Sequence, residues 1–203
     1  MASRPIIPLR FQRAEIEKKA KLSSEAAAIL ARNPHPVTLL AGLREAGLAR
    51  DGVYALVLML PHRQVVWWGC LAARLLPDLD RRPADLACVA AAERWVQSPQ
   101  AHEAEQAGEA AAAADRGRGP AWVATAASWA GPSLAPRGQQ VVPPAPHLPG
   151  AATRSALVLL LLEPALAGRV TYADWLTIGA MLMEGDTGSQ AQAALRQRLA
   201  GGA

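Results

Sequence analysis

Two tryptophans, Trp67 and Trp68, stand side by side in a helix-compatible run from Pro61 to Leu76. Successive helix positions point about 100° apart, so two neighbouring indoles do not share one narrow face. The pair predicts a helix with packing partners on two sides, as the central helix of a bundle has. It constrains architecture more than chemistry.

The rest of the chain reads as further short helices. Hydrophobic residues make up 51% of the 203 residues, and a chain of this length can bury a substantial core. Leu and Ala carry much of that fraction, which favours helix over strand. Ser23 or Ser24 opens a first helix with Glu25 in its first turn, and Asn33-Pro34-His35-Pro36 closes it. Helices are then predicted over 37–46, stopped by Gly47, from Asp51 or Gly52 to 60, and over the double-Trp run. Pro83 starts one to Gln97, and Ser98-Pro99 reads as a cap and first residue of an alanine-rich helix ending near Arg116. Trp122, Ala126 and Trp129 share a face of a helix over 121–130. Thr153 or Ser155 begins a buried helix to Leu162; Thr171 caps another with Asp174 as its first-turn acid; Asp186 or Thr187 starts the last, through Leu199. The fold class is therefore all-α: a compact bundle or stack of eight to ten short helices over 23–203. Its one long interruption, 131–150, carries six prolines, and is read as an extended strap anchored by Leu134, Val141, Val142 and Leu148.

Charge is distributed unevenly. Residues 1–22 hold Arg4, Arg10, Arg13, Lys18, Lys19 and Lys21 against Glu15 and Glu17, so the formal charge of +4 belongs to this segment and the remainder is neutral. All three lysines of the protein lie there. The reading is a basic arm, extended at first and helical towards its end. Such an arm attracts an acidic protein, a nucleic acid or an anionic lipid surface, or is simply a solvated terminus. Its segment Ile6-Ile7-Pro8-Leu9-Arg10-Phe11 interleaves hydrophobes with Pro and Arg, as suits a peptide that orders on a partner. Candidate partner-binding residues are thus Ile6, Ile7, Leu9, Arg10, Phe11 and Arg13, together with whichever of Trp67 and Trp68 faces outward.

Catalytic signatures are missing. No Gly-Lys-Ser/Thr, Gly-x-Gly-x-x-Gly, His-Glu-x-x-His, Gly-x-Ser-x-Gly or Cys-x-x-Cys occurs. His102, Glu105, Gln106 and Glu109 share one helical face and would suit a metal only if a second helix supplied further ligands. The ordinary alternative is a solvated face opposite Ala107, Ala110 and Ala111. His35, His62 and His147 read as turn or first-turn residues, and most of the tryptophans as core. Cys70 and Cys88 sit on different helices and read as small core hydrophobes, with a disulfide left open. The apolar run 156–162 is far below the roughly 20 residues that span a bilayer. These observations predict a cytoplasmic protein with no transmembrane segment and no cofactor, and leave its oligomeric state open.

A set of blocks in fixed order carries a resemblance: His35-Pro36 before Leu39-Leu40; Pro61 before Val66-Trp67-Trp68 and Cys70-Leu71-Ala72-Ala73-Arg74; Ala91-Ala92-Glu93-Arg94-Trp95-Val96; then Trp122, Ser128-Trp129, Ser133-Leu134-Ala135-Pro136, Pro143-Pro144 and His147-Leu148. Over about residues 35–184 the chain resembles a bacterial helical family of unknown function associated with type VI secretion gene clusters. The resemblance transfers no functional residue, and the arm lies outside it. What it implies is a non-enzymatic accessory protein, an adaptor or chaperone, binding a component of a secretion apparatus. The alternatives are a nucleic-acid-associated protein using the six cations of the arm, and an uncharacterised enzyme or metal protein using His102 and Glu105.

Overall fold

The computed structural model describes residues 7–135 and 138–201. Among them it forms eleven α-helices, one 3-10 helix (Leu79–Arg81) and no strand. The helices are α1 (Arg13–Lys19), α2 (Ser24–Arg32), α3 (Pro36–Glu45), α4 (Ala49–Met59), α5 (His62–Ala73), α6 (Pro83–Gln97), α7 (Ala101–Ala113), α8 (Gly119–Trp129), α9 (Leu148–Leu162), α10 (Tyr172–Met183) and α11 (Ser189–Gly201). The all-α class stands, and the count exceeds the predicted eight to ten because α1 forms inside the arm.

The double-Trp helix is central. α5 packs against α6, α8, α9, α10 and α11. Trp68 is wholly buried while Trp67 is half-buried, the division that a 100° offset requires. Small residues let the neighbours close in. A Cβ on Gly179 of α10 would lie 2.5 Å from the Trp68 ring and 2.8 Å from Leu56. One on Gly69 would lie 3.2 Å from Val123 of α8. The Thr153 hydroxyl of α9 donates to the Val65 carbonyl across the same core at 3.2 Å.

Local signals explain most boundaries. Ser23 accepts from the Ala26 N–H, and Gly47 leaves α3 with φ +71°. Thr171 and Asp174 form a reciprocal capping box on α10. Two expectations are corrected. Ser98-Pro99 does not open α7: Gln100 stands at the N-cap and makes no side-chain cap bond. α9 begins at Leu148 rather than at Thr153 or Ser155, because Pro149 falls in the first turn, where its missing N–H is not needed. The Pro-rich connection therefore ends at 147, and its last predicted anchor, Leu148, is helical.

An ionic junction ties four chain segments. Arg82 precedes α6, Arg118 precedes α8, and Glu163 follows α9. Glu163 takes Arg82 at 3.2 Å and Arg118 at 3.1 Å; Arg118 also meets Asp85 at 3.0 Å, and Arg82 meets Asp78 at 2.6 Å. Cations at helix starts and an anion at a helix end oppose the helix dipoles, so these charges depend on one another. Burial raises the Asp85 carboxyl, with Arg82 pulling it back and Glu163 adding to the rise. Cys70 and Cys88 are free and buried, and burial pushes both thiols up, Cys88 to about 11.

Two stability outcomes follow. Gly179→Ala forces a methyl into the Trp68 ring and is expected to cost about 2 kcal/mol by chemical denaturation. Glu163→Ala leaves two guanidiniums short of a partner. Their partial exposure (22% and 30%) places the loss near the low end for a broken buried pair, about 2–3 kcal/mol.

Candidate functional site

The arm is anchored in its described part. Leu9 and Phe11 pack against the core, while Ile16 and Ala20 belong to it. The Arg10 N–H donates to the Met59 carbonyl at 2.6 Å, at the C-terminal end of α4. The Arg10 guanidinium lies against His62 Nε2 and donates to the Pro146 carbonyl at 2.9 Å. One side chain thus joins the arm, the start of α5 and the end of the strap. Arg13 pairs with Glu17 one turn on at 2.8 Å. The arm's helix forms because burying Ile16 against the body outweighs the marginal stability of seven isolated helical residues.

Ile7 reaches the outward face of α5. With Arg63, Trp67, Glu93, Val96 and Thr187 it lines an open groove of about 320 Å³. Trp67 is held there by its indole N–H, which donates to the Thr187 carbonyl at 2.8 Å. Leu182 of α10 closes the floor. Arg63 Nε donates to the Val96 carbonyl at 2.6 Å. Glu93 is committed to Arg74 through two bonds, at 2.8 and 2.6 Å. The groove has an aromatic anchor, apolar walls and a polar rim.

Of the predicted partner-binding residues, the fold brings Ile7 and Trp67 together. Leu9, Arg10 and Phe11 fasten the arm, and Arg13 stays on the surface of α1. Ile6 lies outside the described residues. Trp68 is corrected: it is core against Gly179, and its indole N–H has no hydrogen-bond partner among the described residues. Sequence reasoning missed Val96, Leu182 and Thr187, which reach the groove from α6, α10 and the turn after α10. Only tertiary packing joins these segments.

The metal candidate does not assemble. His102 sits 3.3 Å from Glu103 on the surface of α7, and the described residues contain no group of three His, Cys, Asp or Glu placed to hold a metal ion. No described helix is long and apolar enough to cross a membrane.

Among the described residues the protein is all-helical. Residues 39–183 match DUF6931, a family of unknown function. The match spans well over half the chain, and the protein belongs to that family. It covers α4 to α10 entire and most of α3, and leaves out α1, α2 and α11. No curated protein and no solved structure matches the chain.

His62 supplies a pH outcome for the arm. Burial lowers its proton affinity and Arg10 lowers it further, with the Pro146 carbonyl and Glu15 opposing. An imidazole with a depressed folded pKa is favoured neutral. Its contribution is full above the unfolded value of about 6.5 and is lost as pH falls from there through the folded value. Amide exchange at Arg10 should therefore accelerate, relative to the global rate, between about pH 7 and pH 5, and His62→Gln should remove that dependence.

Proposed function

We propose that this protein is a non-enzymatic adaptor that docks a protein partner in the groove around Trp67. The observation that carries the reading is Trp67 itself. It is a half-buried indole, fixed in orientation by a backbone carbonyl and flanked by Ile7, Val96 and Leu182. A rigid aromatic with apolar walls and a polar rim is the anatomy of a binding hot spot. Ile7 adds the arm to that surface, so partner recognition combines the family-matched body with a segment outside it. The partner class follows from the sequence resemblance: a component of a bacterial type VI secretion apparatus, met in the cytoplasm.

The test is affinity purification with mass spectrometry from the native host, after nuclease treatment and a salt wash. Three forms are compared: the full chain, Trp67→Ala, and a truncation lacking residues 1–7. The cut stops before Leu9 because Leu9, Phe11 and Ile16 support the fold. A specific partner recovered with the full chain is expected to fall by at least about tenfold with Trp67→Ala, in the range of a hot-spot loss. Equal recovery by all three forms would remove the groove from the interface. A recovered partner unrelated to secretion would retain the adaptor and discard the type VI assignment.

A further inference from the structure

Every lysine of this chain lines one recess. Lys18, Lys19 and Lys21 surround a hollow of about 280 Å³ together with His147 and Arg154. Leu58 and Ala151 form its apolar wall. Three elements converge here: the end of α1 with the turn after it, α4, and the first turns of α9. No carboxylate lines the recess. Glu15 stands beside it, 3.8 Å from His147 Nδ1.

The arginines that tie the helices together are committed differently. Arg74, Arg82, Arg94, Arg118 and Arg198 are each paired with carboxylates. None of the three lysine ammoniums has an ion pair among the described residues. Arg154 is held in place, donating to the Lys19 carbonyl at 3.0 Å and lying over the Tyr54 ring at 5.1 Å. Its remaining guanidinium N–H groups are available for further bonds. Burial first, then Lys19 and Arg154, lower the proton affinity of His147 against the pull of Glu15. The local field is therefore positive. The α9 N-terminus, whose N-cap residue His147 makes no side-chain cap bond, adds to it.

Lys21 sharpens the reading. At φ +56° it is the one non-glycine among the described residues in the left-handed region, a conformation that glycine adopts without steric cost. A lysine stands where glycine fits the backbone better, and its side chain lines the recess.

We propose that this recess is a binding site for a phosphate group, either free or as a compact phosphate monoester. Four permanent cations exceed what a single carboxylate would neutralise, whereas a dianion with several acceptor oxygens takes donors from several directions. Lysine serves phosphate as a point charge without needing planar geometry. The hollow is small beside sites for drug-sized ligands, which favours a compact anion over an extended polymer. The site is separate from the Trp67 groove and stands or falls independently of the adaptor reading.

Calorimetry and thermal unfolding of the full chain test it, with inorganic phosphate and glycerol 3-phosphate as probes and acetate at matched ionic strength as control. The expected result is saturable one-to-one binding and a melting temperature that rises with phosphate but not with acetate. Stronger binding of the ester than of phosphate assigns the site to a monoester, and the reverse to the free ion. The double variant Lys18→Gln, Lys21→Gly should bind at least about tenfold more weakly. Lys21→Gly alone should keep or raise the melting temperature, which separates lost binding from lost folding. Arg44→Gln, removing an exposed charge elsewhere, should bind as the parent does. An absence of saturable binding in the millimolar range overturns the proposal. So does an equal loss in Arg44→Gln, which would signify charge screening alone. Binding of duplex DNA that phosphate cannot displace overturns it in favour of a polymer surface.

Discussion

The contact between the Trp68 ring and Gly179 sets the geometry of the molecule. The Trp68 ring is wholly buried against a turn of α10 at which Gly179 offers no side chain. With Trp68 seated, the rotation of α5 about its own axis is fixed. Gly69 then faces Val123 of α8, Val65 presents its carbonyl to Thr153 of α9, and Trp67 is left pointing outward. The exposed anchor of the groove is a geometric consequence of the buried one. The same seating leaves the Trp68 indole N–H without a partner, a state that ordinarily costs about 1–3 kcal/mol. Apolar packing of the ring outweighs that cost.

A second constraint ties helix termini together with charge instead of shape. Arg82, Arg118, Asp85 and Glu163 stand at helix termini, three of them with the sign opposite to what the dipole favours. Asp85, in the first turn of α6, has the favoured sign. The arrangement holds because each group satisfies another. Arg118 Nε and Asp85 Oδ2 are 3.0 Å apart yet misaligned for a hydrogen bond, so their attraction is ionic. Such a junction specifies which helix ends meet, and it falls inside the stretch that matches the family.

Much of the fold was legible because local chemistry marked it. Ser23, Gly47, Thr171 and Asp174 announced their helix ends by mechanisms that need no tertiary partner. The paired tryptophans announced the central helix, and the 100° argument held for both rings. Other features were hidden for identifiable reasons. Pro149 reads as part of an extended run until the start of α9 places it in a first turn. Ser98 looks like a cap, but the chain continues two residues before α7 begins at Ala101. The short α1 was read only as the helical end of the arm, without bounds, and it forms because Ile16 finds the core. The groove was legible only as two separate candidates, Ile7 and Trp67. Their meeting depends on Arg10 bonding the Met59 and Pro146 carbonyls, contacts 49 and 136 positions away.

The two cation types divide the work of the protein. Arginine builds: it is bidentate to Glu93, it closes the junction around Glu163, and it fastens the two ends of the chain through backbone carbonyls. Arg10 reaches the Pro146 carbonyl, Arg154 the Lys19 carbonyl and Arg196 the Arg74 carbonyl. A planar fork with five donors suits that role. Lysine occurs three times, each time at the recess and each time without a carboxylate partner among the described residues. Packing within the described residues does not account for three unpaired lysines at one hollow. A ligand carrying concentrated negative charge does.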